Sequence, residues 1–430
     1  MSEDLKIGIA GLGIVGGGVL RLLAERADVL IERCGRRLDV TAVSSRDRNR
    51  DRGVDISAMT WFDDPCAMAA HADVDVVVEL IGGADGVALD LCRAAIAAGK
   101  PVVTANKAMI AHHGASLAEA AEGCGVSLGY EAAVAGGIPI VKALREGLAG
   151  NRIERVYGIL NGTCNYILSV LTDNGGAFGD VLAEAQRLGY AEADPSFDID
   201  GIDAAHKIAI LASLAFGTVP NFDAVYTEGI SRITPQDTAY AAELGYRIKL
   251  LGVANMTDHG LEQRVHPCMV PASSPIAQVE GVFNAVVTEG DFVDRTMFGG
   301  RGAGGGPTAS AVVADLVDVA RGHILPTFGV PATHLRHVEA ASMMRHTGAY
   351  YIRLTVVDQP GVMADVTAAL GDARVSVKAL IQHSADLGDG ASVVLTTHQT
   401  REDSMLQALN EIAALDTVLE TPCMIRIEQV

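Results

Sequence analysis

Apolar runs of strand length alternate with helical periodicity through the first third of the chain. Leu5 to Ala10 is a short apolar run, and Leu20, Leu23, Ala27 and Leu30 follow it at helical spacing. Leu38 to Val43 predicts a second strand. Asp73 to Gly83 contains a valine-rich stretch that reads as a buried parallel strand ending in a glycine turn. Ala88 to Ala98 predicts a helix, and Pro101 to Thr104 and Val126 to Tyr130 predict further strands. This alternation predicts an α/β fold with a Rossmann-type doubly wound parallel sheet, whose ligands bind outside the carboxyl ends of its strands.

After Gly150 the pattern changes. Arg152 to Leu160 predicts a strand, polar Asn161 to Asn165 opens a helix, and helices follow through Phe216. Arg247 to Ala254, Arg264 to Val270 and Gly281 to Thr288 predict an antiparallel sheet, which together make a separate α+β unit. Arg301 to Pro307 is glycine-rich and precedes a helix over Ala309 to Arg321. From Ala349 the order is βαββαβ, a ferredoxin-like module with a turn at Asp358 to Gly361. The expected division is residues 1–135 for dinucleotide binding, completed by a helix within 307–330; 136–306 for catalysis and subunit pairing; and 349–430 for regulation. Residues 331–348 are the connection.

The chain has 430 residues, 49% of them hydrophobic, enough for two or three cored domains. Its formal net charge of -20 argues against nucleic acid or an anionic membrane as partner, so its ligands are expected to be small. Seven cysteines lie scattered without a CxxC pair, which suits a reducing compartment better than a disulfide framework or a zinc site. The acidic start Met1-Ser2-Glu3-Asp4 runs straight into a strand, and no apolar run reaches the length of a membrane span. A cytoplasmic protein is expected.

Gly11, Gly13 and Gly16 form GxGxxG between strand and helix, the context in which Ile14, Val15 and the helix N-terminus face a pyrophosphate. A glycine turn without a ligand is the plainer alternative. The second strand ends in Ser44-Ser45-Arg46, with Arg48, Arg50 and Arg52 following, where NAD binding calls for an acid. This favours NADP(H) over NAD(H), against a merely solvated basic loop. Thr104 and Lys107 stand at a strand's carboxyl end, so Lys107 is expected in the cofactor crevice rather than at the surface.

Between Gly189 and Lys207 five acidic residues gather around a single lysine. Asp203 and Lys207 are one helical turn apart on an almost wholly apolar helix, so an ordinary exposed ion pair gives way to a buried one that needs acidic partners. A calcium loop fits poorly, because Gly201 is misplaced and no glutamate closes it. The small residues of Glu131 to Pro139 imply a crowded turn, which either packs tightly or offers carbonyls to a monovalent cation.

These segments together, GLGIVGGGV at 11–19, VVTANKA at 102–108, YEAAVAGGIPIV at 130–141, GILNGTCNYIL at 158–168, GYAEADPSFDIDGIDAAHKIAILA at 189–212 and GRGAGGGPTASAV at 300–312, resemble the long form of bacterial homoserine dehydrogenase, which carries a C-terminal ACT domain. The resemblance implies reversible, NAD(P)-dependent reduction of L-aspartate 4-semialdehyde to L-homoserine. It implies Lys107 and Lys207 as catalytic lysines, Glu192 and Asp203 as substrate contacts, and Gly189 and Gly304 beside the nicotinamide. It also implies a structural sodium ion on main-chain oxygens of Glu131, Val134, Gly136 and Ile138, a homodimer or homotetramer, and L-threonine as a possible effector of the C-terminal module; because the catalytic motifs all lie before Val313, removing Ala349 to Val430 is expected to leave a folded dehydrogenase that no longer responds. A non-catalytic sensor of dinucleotide and amino acid, or another amino-acid dehydrogenase of similar build, are the rivals; a pure sensor has no use for Lys207 with Glu192 and Asp203.

Overall fold

The computed structural model describes residues 3–387 and 390–430. Its first sheet consists of β1 (Leu5–Ala10), β2 (Leu38–Ser44), β3 (Thr60–Phe62), β4 (Val76–Glu79), β5 (Val102–Thr104) and β6 (Leu128–Gly129), in the order β3-β2-β1-β4-β5-β6 and parallel throughout. The order reverses beside β1, which opens a crevice at the carboxyl ends of β1 and β4. The helix Gly305–Arg321 returns to this sheet. Its Ala309, Val312 and Leu316 share one core with Ile7, Ile9, Val19 and Leu20. It begins before Pro307 rather than at Ala309, because Gly304, at φ 116°, turns the chain into it.

The second sheet has eleven strands. Its middle portion contains β7 (Ile153–Ile159), β8 (Tyr226–Thr227), β9 (Tyr246–Thr257), β10 (Gly260–Pro271), β11 (Phe283–Gly290) and β12 (Asp294–Arg301). Its C-terminal portion contains β13 (Thr347–Val357), β14 (Val377–Leu387), β15 (Gly390–Thr397), β16 (Thr400–Arg401) and β17 (Cys423–Ile427). The main order is β12-β11-β7-β9-β10-β17-β13-β15-β14. Sequence pattern alone gives no sign of β12, which is an edge strand with glycines at 299 and 300 and little burial to impose alternation.

The βαββαβ module has the expected element order, but it is not a separate body. Its edge strand β17 pairs in parallel with β10, through Cys268 with Arg426 and Met269 with Ile427. Buried charges cross the seam. Arg264, 1% exposed, pairs with Glu262 at 2.7 Å and with Glu428, while Arg353 and the Tyr351 hydroxyl both reach the buried Asp237. Removing one partner of such a pair leaves an uncompensated buried charge at a cost of about 3–5 kcal/mol. The module is therefore joined to the middle unit by a shared sheet and buried ion pairs, and its removal is expected to cost the remainder stability.

Candidate active site

The glycine loop follows from sterics. Gly11 sits at φ 97°, and a Cβ there would lie 2.4 Å from the Leu80 carbonyl oxygen; a Cβ on Gly16 would lie 2.2 Å from the Gly11 oxygen. Gly13 is different, because a Cβ there would meet nothing within 4 Å. The space over Gly13 belongs to a cavity of about 1080 Å³ that Gly11, Ser44, Arg46 and Arg50 also line. Gly13 precedes the helix Ile14–Glu25 without a side-chain cap, so the first amides of that helix stay free for an anion, with Ile14 exposed beside them. This cradle fits a dinucleotide pyrophosphate.

The four arginines after β2 divide. Arg46 and Arg50 line the cavity, whereas the Arg48 and Arg52 guanidiniums lie over the Trp61 ring, 5.8 and 5.7 Å from its centre. Thr104 does not line this cavity. It is fully buried and its hydroxyl donates to Glu79 at 2.5 Å, while Glu79 accepts from the Ile81 and Gly82 amides. Thr104 thus shapes the loop after β4 through Glu79.

A second cavity, of about 660 Å³, lies where the two sheets meet. Val15, Lys107, Gly136, Gly189, Glu192, Asp203, Lys207 and Gly304 all line it. The helix Ile202–Phe216 is buried on nearly every side and starts at Gly201, whose φ of 86° turns the chain into it. Asp203 and Lys207 fall one turn apart on its cavity side, with Lys207 Nζ donating to Asp203 Oδ2 at 2.7 Å and to the Leu160 oxygen at 2.7 Å. Lys107 opens the helix Lys107–Gly123, whose N-cap Asn106 accepts from the Met109 amide and donates to the Gly83 oxygen. From there its ammonium reaches Asp203 Oδ1 at 2.9 Å. Asn161, the cap of the helix Gly162–Asn174, donates to Asp203 Oδ2 and to Asp198, each at 2.8 Å.

One carboxylate therefore organises two ammoniums. Burial alone raises the Asp203 pKa, but Lys207 and Lys107 outweigh it and hold the group well below the usual carboxylate range. Burial also drives the Lys207 ammonium, with Asp203 opposing the shift and Lys107 adding to it; the net pKa is lowered. Burial works against Lys107 too, yet Asp203, Asp198 and Glu192 prevail there and raise it. The two lysines are thus shifted in opposite directions.

Glu192 lines the cavity without an ion pair among the described residues, whereas Asp203 already meets three donors. Of the remaining acids, Asp194 turns back onto Ser196, and Asp198 joins the cluster through Asn161 and Thr163. Sequence reasoning found Asn161 only as a cap and missed Phe197, whose ring centre lies 5.3 Å from Lys107 Nζ. It also missed Asn284, 1% exposed on the cavity wall with an unpaired Oδ1.

The turn after β6 has two successive left-handed residues, Ala135 at φ 54° and Gly136 at φ 44°. A Cβ on Gly136 would meet the Gly302 oxygen at 2.5 Å. The buried carbonyls of Val134 and Gly136 accept no hydrogen bond among the described residues, while those of Glu131 and Ile138 each accept one. The Glu131 carboxylate receives the Val141 and Lys142 amides, and burial and Asp315 push its pKa up to about 7. Two free buried carbonyls fit a hard monovalent cation.

Comparison with known proteins gives one picture. Family models described as homoserine dehydrogenase, its NAD binding domain and the ACT domain match residues 139–317, 11–131 and 350–417. Homoserine dehydrogenase of Neisseria gonorrhoeae is 46% identical, with 99% of each chain covered. A crystal structure of a homoserine dehydrogenase from Thiobacillus denitrificans superposes with a TM-score of 0.94 at 46% identity, covering 100% of this chain and 99% of that one. A hyperthermophilic archaeal homoserine dehydrogenase in complex with NADPH superposes with a TM-score of 0.63 at 26% identity, covering 78% of this chain and 100% of that one.

Proposed function

The chain belongs to the homoserine dehydrogenase family, an NAD(P)-dependent oxidoreductase of amino-acid biosynthesis, and from that premise we propose that the cavity around Asp203 is where L-aspartate 4-semialdehyde and L-homoserine interconvert. The observation that carries this reading is the meeting of Lys107 and Lys207, from different parts of the chain, on one buried carboxylate. The bound nicotinamide supplies or accepts the hydride. Reduction builds negative charge on the aldehyde oxygen; Lys107 stays charged and stabilises it, and Lys207, with the lowered pKa, delivers the proton. Glu192 receives the substrate ammonium, and Asp203, its oxygens already engaged, chiefly aligns the lysines. No thiolate takes part: Cys164, near the cluster, has its pKa raised well above the thiol range by burial.

The glycine loop and Arg46 suit NADP(H) over NAD(H), because Arg46 lines the cavity together with Ser44, where a guanidinium can meet a 2′-phosphate. The Val134 and Gly136 carbonyls, with those of Glu131 and Ile138, suit a structural sodium ion. The C-terminal module suits an amino-acid effector, for which L-threonine is our assignment, with the turn at Gly361, φ 99°, as its seat. Sheet edges at β12 and β14 suit pairing into a homodimer or homotetramer. Seven free cysteines suit a cytoplasmic compartment, and no described helix is long and apolar enough to cross a membrane. The test is reduced-nicotinamide absorbance with homoserine and each cofactor; an absence of turnover with both refutes the assignment.

A further inference from the structure

We propose that Glu228 and Gly229 form a strut through which Arg426, on the C-terminal module, fixes the turn Ser196–Ile199 at the edge of the catalytic cavity. The proposal rests on the reading of that cavity as the active site. Arg426 is buried, and its guanidinium binds Glu402 of its own module and the Glu228 carboxylate across the seam, at 2.9 Å. Tyr226 joins both, accepting from Arg426 and donating to Glu228 at 3.2 Å each. The Glu228 amide in turn donates to the Val265 oxygen of β10 at 2.8 Å, so the segment is held at both its side chain and its backbone.

The next residues meet the turn directly. Ile230 donates its amide to the Ile199 oxygen at 2.9 Å. Between these anchors Gly229 lies flat against the turn, where a Cβ would stand 2.3 Å from the Ile199 oxygen and 2.7 Å from the Asp200 Cα. Both atoms belong to backbone, so neither yields cheaply, and only glycine permits this approach. On the far side, the same turn holds Asp198 against Asn161 and Phe197 against Lys107. Thr227 and Val265 also back Gly201, the start of the helix that carries Asp203 and Lys207. A displacement of Arg426 therefore reaches Lys107 and Asp203 through packed backbone, which makes Glu228 and Gly229 positioning residues.

The test uses full-length protein with Glu228→Gln, which weakens the tie to Arg426, and Gly229→Ala, which forces the strut off the turn. Each is expected to lower kcat/KM for homoserine roughly tenfold. NADPH affinity stays within about twofold of wild type, because neither residue approaches the glycine loop. Hydrogen exchange over residues 196–201 quickens in both variants while residues 8–18 exchange as before. Unchanged exchange in the turn overturns the strut, as does a loss of NADPH affinity equal to the loss in kcat/KM. If wild-type protein does not oxidise homoserine, the reading of the site fails, and the exchange measurement still decides the strut.

Discussion

The Lys107 ammonium lies 2.9 Å from Asp203 Oδ1, although Lys107 stands on the parallel-sheet unit and Asp203 on a helix packed under the second sheet. Lys207 holds the other oxygen. The three charges lie in contact, so each shifts the proton affinity of its neighbours.

That coupling gives a pH prediction with opposite signs. Homoserine oxidation needs neutral Lys207 to take the hydroxyl proton, so kcat rises with pH and levels off below the ordinary lysine value of 10.5; reduction falls over the same range. Asp203 raises the Lys207 pKa, so Asp203→Asn shifts the midpoint to lower pH. Lys107 lowers it, so Lys107→Met shifts the midpoint to higher pH. Profiles of kcat against pH for the two variants check this, and a shift of both in one direction contradicts it.

Arg46→Ala weakens NADP far more than NAD, because only NADP carries the phosphate that a guanidinium grips. The expected loss in NADP affinity is about tenfold or more, the scale of one charge-assisted contact. Titration with both cofactors decides it, and equal losses remove Arg46 from the 2′-phosphate site.

Deletion of residues 349–430 strips β17 from β10 and removes Glu428 from Arg264, Arg353 and Tyr351 from Asp237, and Arg426 from Glu228. The truncated chain is expected to melt well below the full-length enzyme, with about 3–5 kcal/mol lost for each fully buried pair broken. Thermal unfolding by circular dichroism measures it; an unchanged melting temperature shows the seam to be unimportant. The effector assignment is therefore tested on the full chain, where threonine inhibits the wild type and Gly361→Val, strained at a φ of 99°, weakens that inhibition.

The parallel sheet was legible because β1, β2 and β4 are apolar runs separated by helices of clear period, and the glycine loop because its GxGxxG spacing falls between a strand and a helix. Asp203 and Lys207 were legible for the same local reason, one helical turn on an apolar helix. Lys107 was expected at the cofactor crevice from its position at a strand end, and it lines the second cavity; its bond to Asp203 spans distant sequence and leaves no local mark. The fusion of the C-terminal module to β10 was hidden likewise: Arg264 and Arg426 look like ordinary strand positions, and only the tertiary pairing makes them buried. β12 escaped notice because an exposed edge strand has no core to impose a pattern.

The central claim is that Lys207 carries the proton in the interconversion of aspartate semialdehyde and homoserine. It is tested most directly by the rate of NADPH oxidation with L-aspartate 4-semialdehyde in wild type and Lys207→Ala, alongside NADPH affinity by fluorescence. The expected result is robust wild-type turnover, a fall in kcat of at least roughly 100-fold in the variant, and unchanged NADPH binding. Near-normal turnover in the variant contradicts the account.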